Sequence, residues 1–274
     1  MSNSGIEITL AGDVIKRGDF TWNLSINAAT ITNKITSLPV DEFVSGTKKL
    51  KEGKDIYAYW LREYYGVNPQ NGAPLYRLNT ENNTYGDATD IVIGLDTLTS
   101  NQGRGRFHYA GTALPDLYGG ITNTFRYKNF SLTLLTTYSI GGKVYDNGYQ
   151  SLLGGADYGD AIHKDALKRW QKPGDVTNIP RVDVANNTNS GATSDRWLTD
   201  ASYFNIRQLT LNYEIPRSLL SKARIANASV YVSGENLKLF AERDGMNPIQ
   251  AFSGVTSNGY IPSRVFSVGI NVGL

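Results

Sequence analysis

The chain has 274 residues, with 27 Lys and Arg against 25 Asp and Glu, 28 Gly, 17 Tyr, two His and no Cys. Lack of Cys excludes a disulfide framework, a Cys-ligated metal centre and a thiol nucleophile, and near-balanced charge without a long basic block excludes a nucleic-acid footprint. No run of about 18 apolar residues is present, which excludes a membrane-spanning helix but leaves open a membrane β-barrel, whose strands alternate.

The first residues, Met1-Ser2-Asn3-Ser4-Gly5, lack the charged, apolar and small-residue regions of a secretory leader. Segments that alternate with period two then dominate. Ile6 to Leu10 is followed by a turn at Lys16-Arg17-Gly18-Asp19 and by Phe20 to Ala28, where every even position is apolar or small and every odd one is Thr, Asn or Ser. A second hairpin runs from Gly119 to Tyr127, turns at Lys128-Asn129, and returns from Phe130 to Ile140. Three more alternating strands are predicted over Phe204–Ile215, Ala228–Leu239 and Val265–Leu274.

The length and polar face of these strands point towards a membrane. Each alternates for about nine to eleven residues, enough to cross a bilayer at a tilt, where strands of soluble proteins usually stop after about five or six. The polar side carries Asn, Thr, Ser and Gly, which suits a hydrated lumen. Phe20, Trp22, Tyr127, Phe130, Tyr138 and Tyr213 near strand ends suit interfacial girdles. A secreted β-sandwich also alternates and remains the rival reading.

Two long stretches, Leu78 to Pro115 and Gly141 to Thr199, are expected to be irregular loops, the second with a helix over Ala161–Trp170 stopped by Pro173-Gly174-Asp175. Gly103-Arg104-Gly105-Arg106 lacks the Lys-Ser/Thr of a phosphate-binding loop and is expected to be a flexible basic loop. Asp87 with Asp90, and Asp157 with Asp160, are expected in solvated turns, with a casual calcium ion as the alternative. His163, near Asp160 and Asp165, has no accompanying nucleophile motif, so neither catalysis nor a cofactor is expected. The loop aromatics Tyr145, Tyr149, Tyr158, Trp170 and Trp197 either hold a sugar or peptide or pack the loops together.

Ordered motifs along almost the whole chain resemble one family. The segment Leu114-Pro115-Asp116-Leu117-Tyr118-Gly119-Gly120-Ile121-Thr122-Asn123-Thr124-Phe125-Arg126-Tyr127 is similar to a run in the carboxyl-terminal part of SusC/RagA-type, TonB-linked outer-membrane transporters. So are Gly12-Asp13-Val14-Ile15 with Phe20-Thr21-Trp22-Asn23, Gly66-Val67-Asn68-Pro69, Arg169-Trp170-Gln171-Lys172-Pro173-Gly174-Asp175, Asp195-Arg196-Trp197, Tyr231-Val232-Ser233-Gly234-Glu235-Asn236-Leu237 and Pro262-Ser263-Arg264.

The resemblance implies an all-β fold over 1–274, an antiparallel transmembrane barrel portion of roughly 8–10 strands out of about 22. It also implies long extracellular loops, above all 141–199, and one short loop helix. Leader, TonB box and plug of the family are not in the chain, so its length is expected to mark a fragment. By resemblance the outer membrane is the location, and the activity is import of oligosaccharides or peptides without covalent chemistry. Implied partners are a SusD-like surface lipoprotein, the TonB–ExbB–ExbD complex acting through the missing amino-terminal part, and outer-membrane lipid. Tyr149, Trp170, Arg181 and Trp197 are expected to face substrate or lid. Phe266, Val268, Ile270, Val272 and Leu274 form the expected barrel assembly signal, with Leu274 where the family has an aromatic residue. The alternative is a soluble β-sandwich that binds glycans, with an extracellular hydrolase a distant third.

Overall fold

The computed structural model describes residues 1–154, 159–183, 190–221, 225–251, 253–256 and 259–273. Asp157, Tyr158 and Leu274 lie outside the described residues. Seven long strands form one antiparallel sheet: β1 (Glu7–Arg17), β2 (Phe20–Ala29), β3 (Leu117–Tyr127), β4 (Phe130–Ile140), β5 (Tyr203–Glu214), β6 (Asn227–Ala241) and β7 (Val265–Gly273). Neighbours in the sheet are neighbours in this series, so the sheet is a simple meander. It holds seven of the roughly 8–10 strands expected; the remaining strands are short and belong elsewhere.

Because strand direction alternates, the connections fall on two rims. On one rim lie the turns at Gly18-Asp19 and Lys128-Asn129 and the link 215–226, stitched together by Lys128 N donating to Asp19 O at 3.2 Å and Glu214 N to Asn129 O at 2.8 Å. Gly18 and Lys128 both have positive φ, as the first residue of such a tight turn requires. On the other rim lie the excursions 30–116, 141–202 and 242–264.

Register sorts the side chains of the wall onto two faces. Phe20, Tyr127, Phe130 and Tyr213 are successive cross-strand partners along the turn rim, and Tyr138, Phe204 and Phe240 are successive partners near the other rim. Phe130 and Tyr138 share a face of β4 eight residues apart, about 27 Å along the strand at the usual rise and roughly 20 Å across a bilayer at the tilt of barrel strands, within the apolar band of an outer-membrane barrel. Between the aromatic rows lie Leu24, Ile26, Leu132, Leu134, Leu209, Leu211 and Val232. The opposite face pairs Asn23, Thr124, Thr133, Thr210 and Ser233 across consecutive strands.

Burial runs opposite ways in wall and excursions. On β7, Phe266 is 72% exposed, Val268 74% and Ile270 69%, all from the apolar face. A β-sandwich would bury that face against a second sheet; here the face is bare, which removes the sandwich reading. The apolar clusters among the described residues lie in the excursions, which form a cap. Its two four-stranded sheets are Glu42–Ser45, Lys48–Lys51, Ala58–Arg62 and Phe107–Thr112, and Tyr64–Val67, Pro74–Arg77, Asp90–Ile93 and Asp96–Thr99. Leu78 to Pro115 is therefore not irregular throughout, since it carries the short strands Asp90–Ile93, Asp96–Thr99 and Phe107–Thr112 between its turns.

The helix expected over Ala161–Trp170 is a single 3-10 turn, Lys164–Lys168, which His163 caps by accepting from Asp165 N at 3.1 Å. Trp170 is drawn out of helical geometry because its backbone N donates to Ile179 O and its Nε1 to Pro69 O at 3.1 Å. The loop helix lies earlier, α1 (Asn147–Leu153), where Asp146 accepts from Tyr149 N as its N-cap.

Candidate functional site

The three excursions meet at a junction above the wall. Tyr59, from the first excursion, donates its hydroxyl to Lys143 O at 2.9 Å and also to Gly254 O, and so touches the second and third. Tyr145 N donates to Gly254 O at 2.8 Å and Thr256 N to Tyr145 O at 2.9 Å. A buried cluster of Tyr59, Leu61, Ala110, Tyr145 and Trp197 lies beneath, so the junction is fixed by packing as well as by hydrogen bonds.

Asp146 organises the polar side of this junction. Its Oδ1 accepts from Tyr149 N at 3.0 Å and from Thr256 Oγ1 at 3.3 Å, while Oδ2 accepts from Arg243 Nη1 at 2.6 Å. The Arg243 guanidinium then stacks 3.5 Å above the Tyr149 ring, an electrostatic attraction between a cation and the ring face. The Tyr149 hydroxyl donates to Asp165 Oδ2 at 2.9 Å, and burial followed by that acidic neighbour pushes its pKa up. Asp165 is held below the ordinary carboxylate range by its hydrogen bonds to Lys168 and Tyr149.

The four residues expected to face substrate or lid fall into two pairs. Tyr149 and Trp197 meet edge-on at 6.1 Å between ring centroids. Trp197 is 1% exposed and donates Nε1 to Ala192 O at 2.9 Å, so its ring is enclosed and supports Tyr149 from behind. Trp170 and Arg181 meet at the 68–72 turn, where Arg181 N donates to Gly72 O and its Nη1 to Asn71 O at 3.1 Å. Gly72 has φ of 72°, and a Cβ there would lie 2.4 Å from the Trp170 ring. Of the assembly signal, Phe266, Val268, Ile270 and Val272 stand exposed on β7.

Other sequence expectations resolve differently. The carboxylates of Asp87 and Asp90 face a guanidinium: Arg104 approaches Asp87 Oδ2 at 2.9 Å and Asp90 Oδ2 at 3.0 Å. With Arg106 paired to Glu63 and Arg104 Nη2 donating to Thr84 O at 2.7 Å, the 103–106 segment is anchored rather than flexible. Among the described residues no group of three or more His, Cys, Asp or Glu is placed to hold a metal. Sequence reasoning missed Asp146, Arg243, Tyr59 and Lys48. Only Asp146 carried a local signal, an N-cap residue ahead of Asn147-Gly148. Lys48 Nζ donates to Tyr57 O at 3.0 Å beneath the Tyr59 ring, and burial lowers its pKa to about 7.

A cavity of about 510 Å³ opens between wall and cap, bordered by Tyr118, Ser139 and Tyr203 from the polar face of the wall and by Leu114, Pro115 and Ile249 from the cap. It combines an apolar lining with a few polar groups, as sites for small organic ligands do.

No family model matches the chain. Over 99% of its length the chain is 27% identical to TonB-dependent receptor P3 of Formosa agariphila, spanning 28% of that protein. It is 22% identical to TonB-dependent receptor SusC of Bacteroides thetaiotaomicron, again over 99% of its length and 26% of the relative. The fold superposes on the RagAB peptide transporter with a TM-score of 0.80 at 21% identity, covering 98% of this chain and 29% of that one. For the RagAB peptide importer in its closed-closed state the TM-score is 0.81 at 23% identity, covering 98% and 29%. The likeness to SusC/RagA-type transporters expected from the motifs is thus shown along nearly the whole chain, which spans between a quarter and three tenths of the length of these proteins.

Proposed function

We propose that this chain supplies part of the barrel wall and extracellular cap of an outer-membrane, TonB-dependent importer of oligosaccharides or peptides. The observation that carries the proposal is the wall itself. One face is apolar between two aromatic rows, the other is lined by hydroxyls and amides, and every long excursion leaves from the same rim. In lipid the unpaired edges of β1 and β7 are costly, because each unsatisfied backbone group loses several kcal/mol, so further strands of the same transporter must pair with both.

In this account the cap is the receiving surface. A SusD-like lipoprotein closes over it, in keeping with the SusC and RagAB likenesses. Within the cap, Tyr149, Trp170 and Arg181 are the groups assigned to meet lid or substrate, through whatever aromatic edge or guanidinium donor their partners in the cap leave open. Trp197 acts through Tyr149, as its rigid backing. Substrate then passes the hydroxyl and amide groups of the polar face, which exchange hydrogen bonds with it as water does. No bond is made or broken; the TonB–ExbB–ExbD complex supplies the work to parts of the transporter beyond this chain.

Replacement of Tyr149, Trp170 and Arg181 together by Ala in the full-length transporter tests the reading. Loss of substrate uptake and of lid association, with barrel assembly intact, is expected. Unaltered uptake and lid association would remove these residues from the receiving surface.

A further inference from the structure

We propose that the outer rim of the wall holds a binding site for the phosphate of an outer-leaflet lipid headgroup, built from Lys238 and Arg264. The inference rests on the reading of the wall as membrane-spanning.

The site arises where two strands part. Pairing between β6 and β7 ends at Glu235 with Val265, yet β6 continues to Ala241 against β5 alone. At that point the β5–β6 register shifts, Asn236 takes φ of 52°, and its Nδ2 donates to Ser263 O at 3.1 Å, a side-chain bond that replaces the ladder where the two strands part. The gap is a cavity of about 540 Å³ whose border includes Lys238, Phe240, Arg264, Arg207, Ile261 and one acid, Asp244.

Its position selects the ligand. Lys238 pairs with Ile206 on the apolar face, one pair inside the outer aromatic row, and Arg264 stands two residues before the apolar-face Phe266. Phe240 of that row borders the same cavity. A cation on a lipid-facing surface is costly at depth and tolerated only near the headgroups, where basic pockets meet anionic lipid. Among the described residues neither Lys238 nor Arg264 forms an ion pair, and the nearby Arg243 is already bound to Asp146. The apolar face continues inward from the two cations through Phe266 and Leu209, which suits the upper acyl region beneath a headgroup. A soluble anion would have no use for that face.

The test uses the full-length transporter carrying this chain, purified in detergent and titrated with a bisphosphorylated hexa-acyl lipid A and with the same lipid dephosphorylated, read by native mass spectrometry. The phosphorylated lipid is expected to bind at least about tenfold more tightly. The K238Q/R264Q variant is expected to lose roughly 25-fold in affinity, about fivefold for each cation, while K238R/R264K stays within about twofold. Should the double variant fail to assemble, R264Q alone, outside the paired strands, carries the fivefold reading. Equal binding of the dephosphorylated lipid, or unchanged affinity in R264Q, overturns the proposal. Displacement of the lipid by inorganic phosphate marks a free-anion site instead, and displacement by tetragalacturonate marks a solute subsite; either overturns it. Failure of the protein to partition into the outer membrane would sink the wall reading itself, a result separate from all of these.

Discussion

Arg243 donates to Asp146 across 2.6 Å, and this contact joins an excursion that leaves β6 to one that leaves β4. The Asp146 side chain is 10% exposed and that of Arg243 30%, so the pair is screened only in part. Breaking such a pair leaves a charge without its partner at a cost of about 1–3 kcal/mol. Asp146→Asn should therefore loosen the 242–264 excursion. Limited proteolysis of intact cells is expected to cut there several-fold faster in the variant; equal rates would show that Tyr145 and Gly254 hold the junction without the ion pair.

The close approach of Gly72 to Trp170 yields a second prediction. With φ of 72° and a Cβ that would lie 2.4 Å from the indole, Gly72→Ala meets both backbone strain and a clash. The expected loss is about 2–4 kcal/mol in docking of the 163–181 segment. Trp170 fluorescence, isolated by replacing the other Trp residues with Phe, should shift to longer wavelength in the variant. An unchanged spectrum would mean that the ring stays docked by its bond to Pro69 O alone.

Within the wall, Gly119 sits where Tyr138 crosses β3 to donate to Asn27 O at 3.1 Å. A Cβ on Gly119 would lie 2.0 Å from Asn27 O and 2.9 Å from the Tyr138 hydroxyl. Gly119→Ala is therefore expected to disturb the β2–β3 pairing and reduce barrel assembly, read as loss of the heat-modifiable form on gels. Normal assembly would show that the strands shift to make room.

Lys48 gives a pH dependence. Burial lowers its pKa from 10.5 to about 7, so the unfolded chain binds the proton more tightly than the folded one. The cost of burying Lys48 is absent above pH 10.5, grows as pH falls, and levels off below about 7. Cap stability should then rise from pH 7 towards pH 9, before the tyrosines of the unfolded chain ionise appreciably. Because the Tyr59 ring also favours the charged form, the rise should be smaller than burial alone would give. Lys48→Met should be flatter over that window and more stable at pH 7 by about 1–2 kcal/mol. A variant with the same slope would exclude Lys48 as the titrating group.

The wall was legible in the sequence because each of its faces meets one environment along its whole length. Phe20 to Ala28 shows this: its even positions meet lipid-compatible neighbours and its odd ones meet Asn, Thr and Ser. The cap was illegible for the opposite reason. Strands such as Lys48–Lys51 and Tyr64–Val67 are four residues long, and their side chains meet different partners on each side. Helical spacing at Ile162, Ala166 and Trp170 was overruled by the bonds that Trp170 makes to Ile179 and Pro69. Trp197 and Tyr149 looked alike in sequence as loop aromatics, and only their tertiary setting separates the enclosed ring from the half-buried one.

The central claim is that the wall crosses a membrane with its apolar face in lipid. This chain has no Cys, so in a full-length transporter with any Cys elsewhere replaced, single Cys substitutions can carry spin labels at Leu132, Leu211 and Val268 on one face and at Thr133, Thr210 and Ser267 on the other. In the full-length transporter in bilayers, oxygen should relax the first set more strongly and a water-soluble nickel chelate the second, alternating residue by residue. Equal access of the nickel chelate to both sets would contradict a membrane-spanning wall.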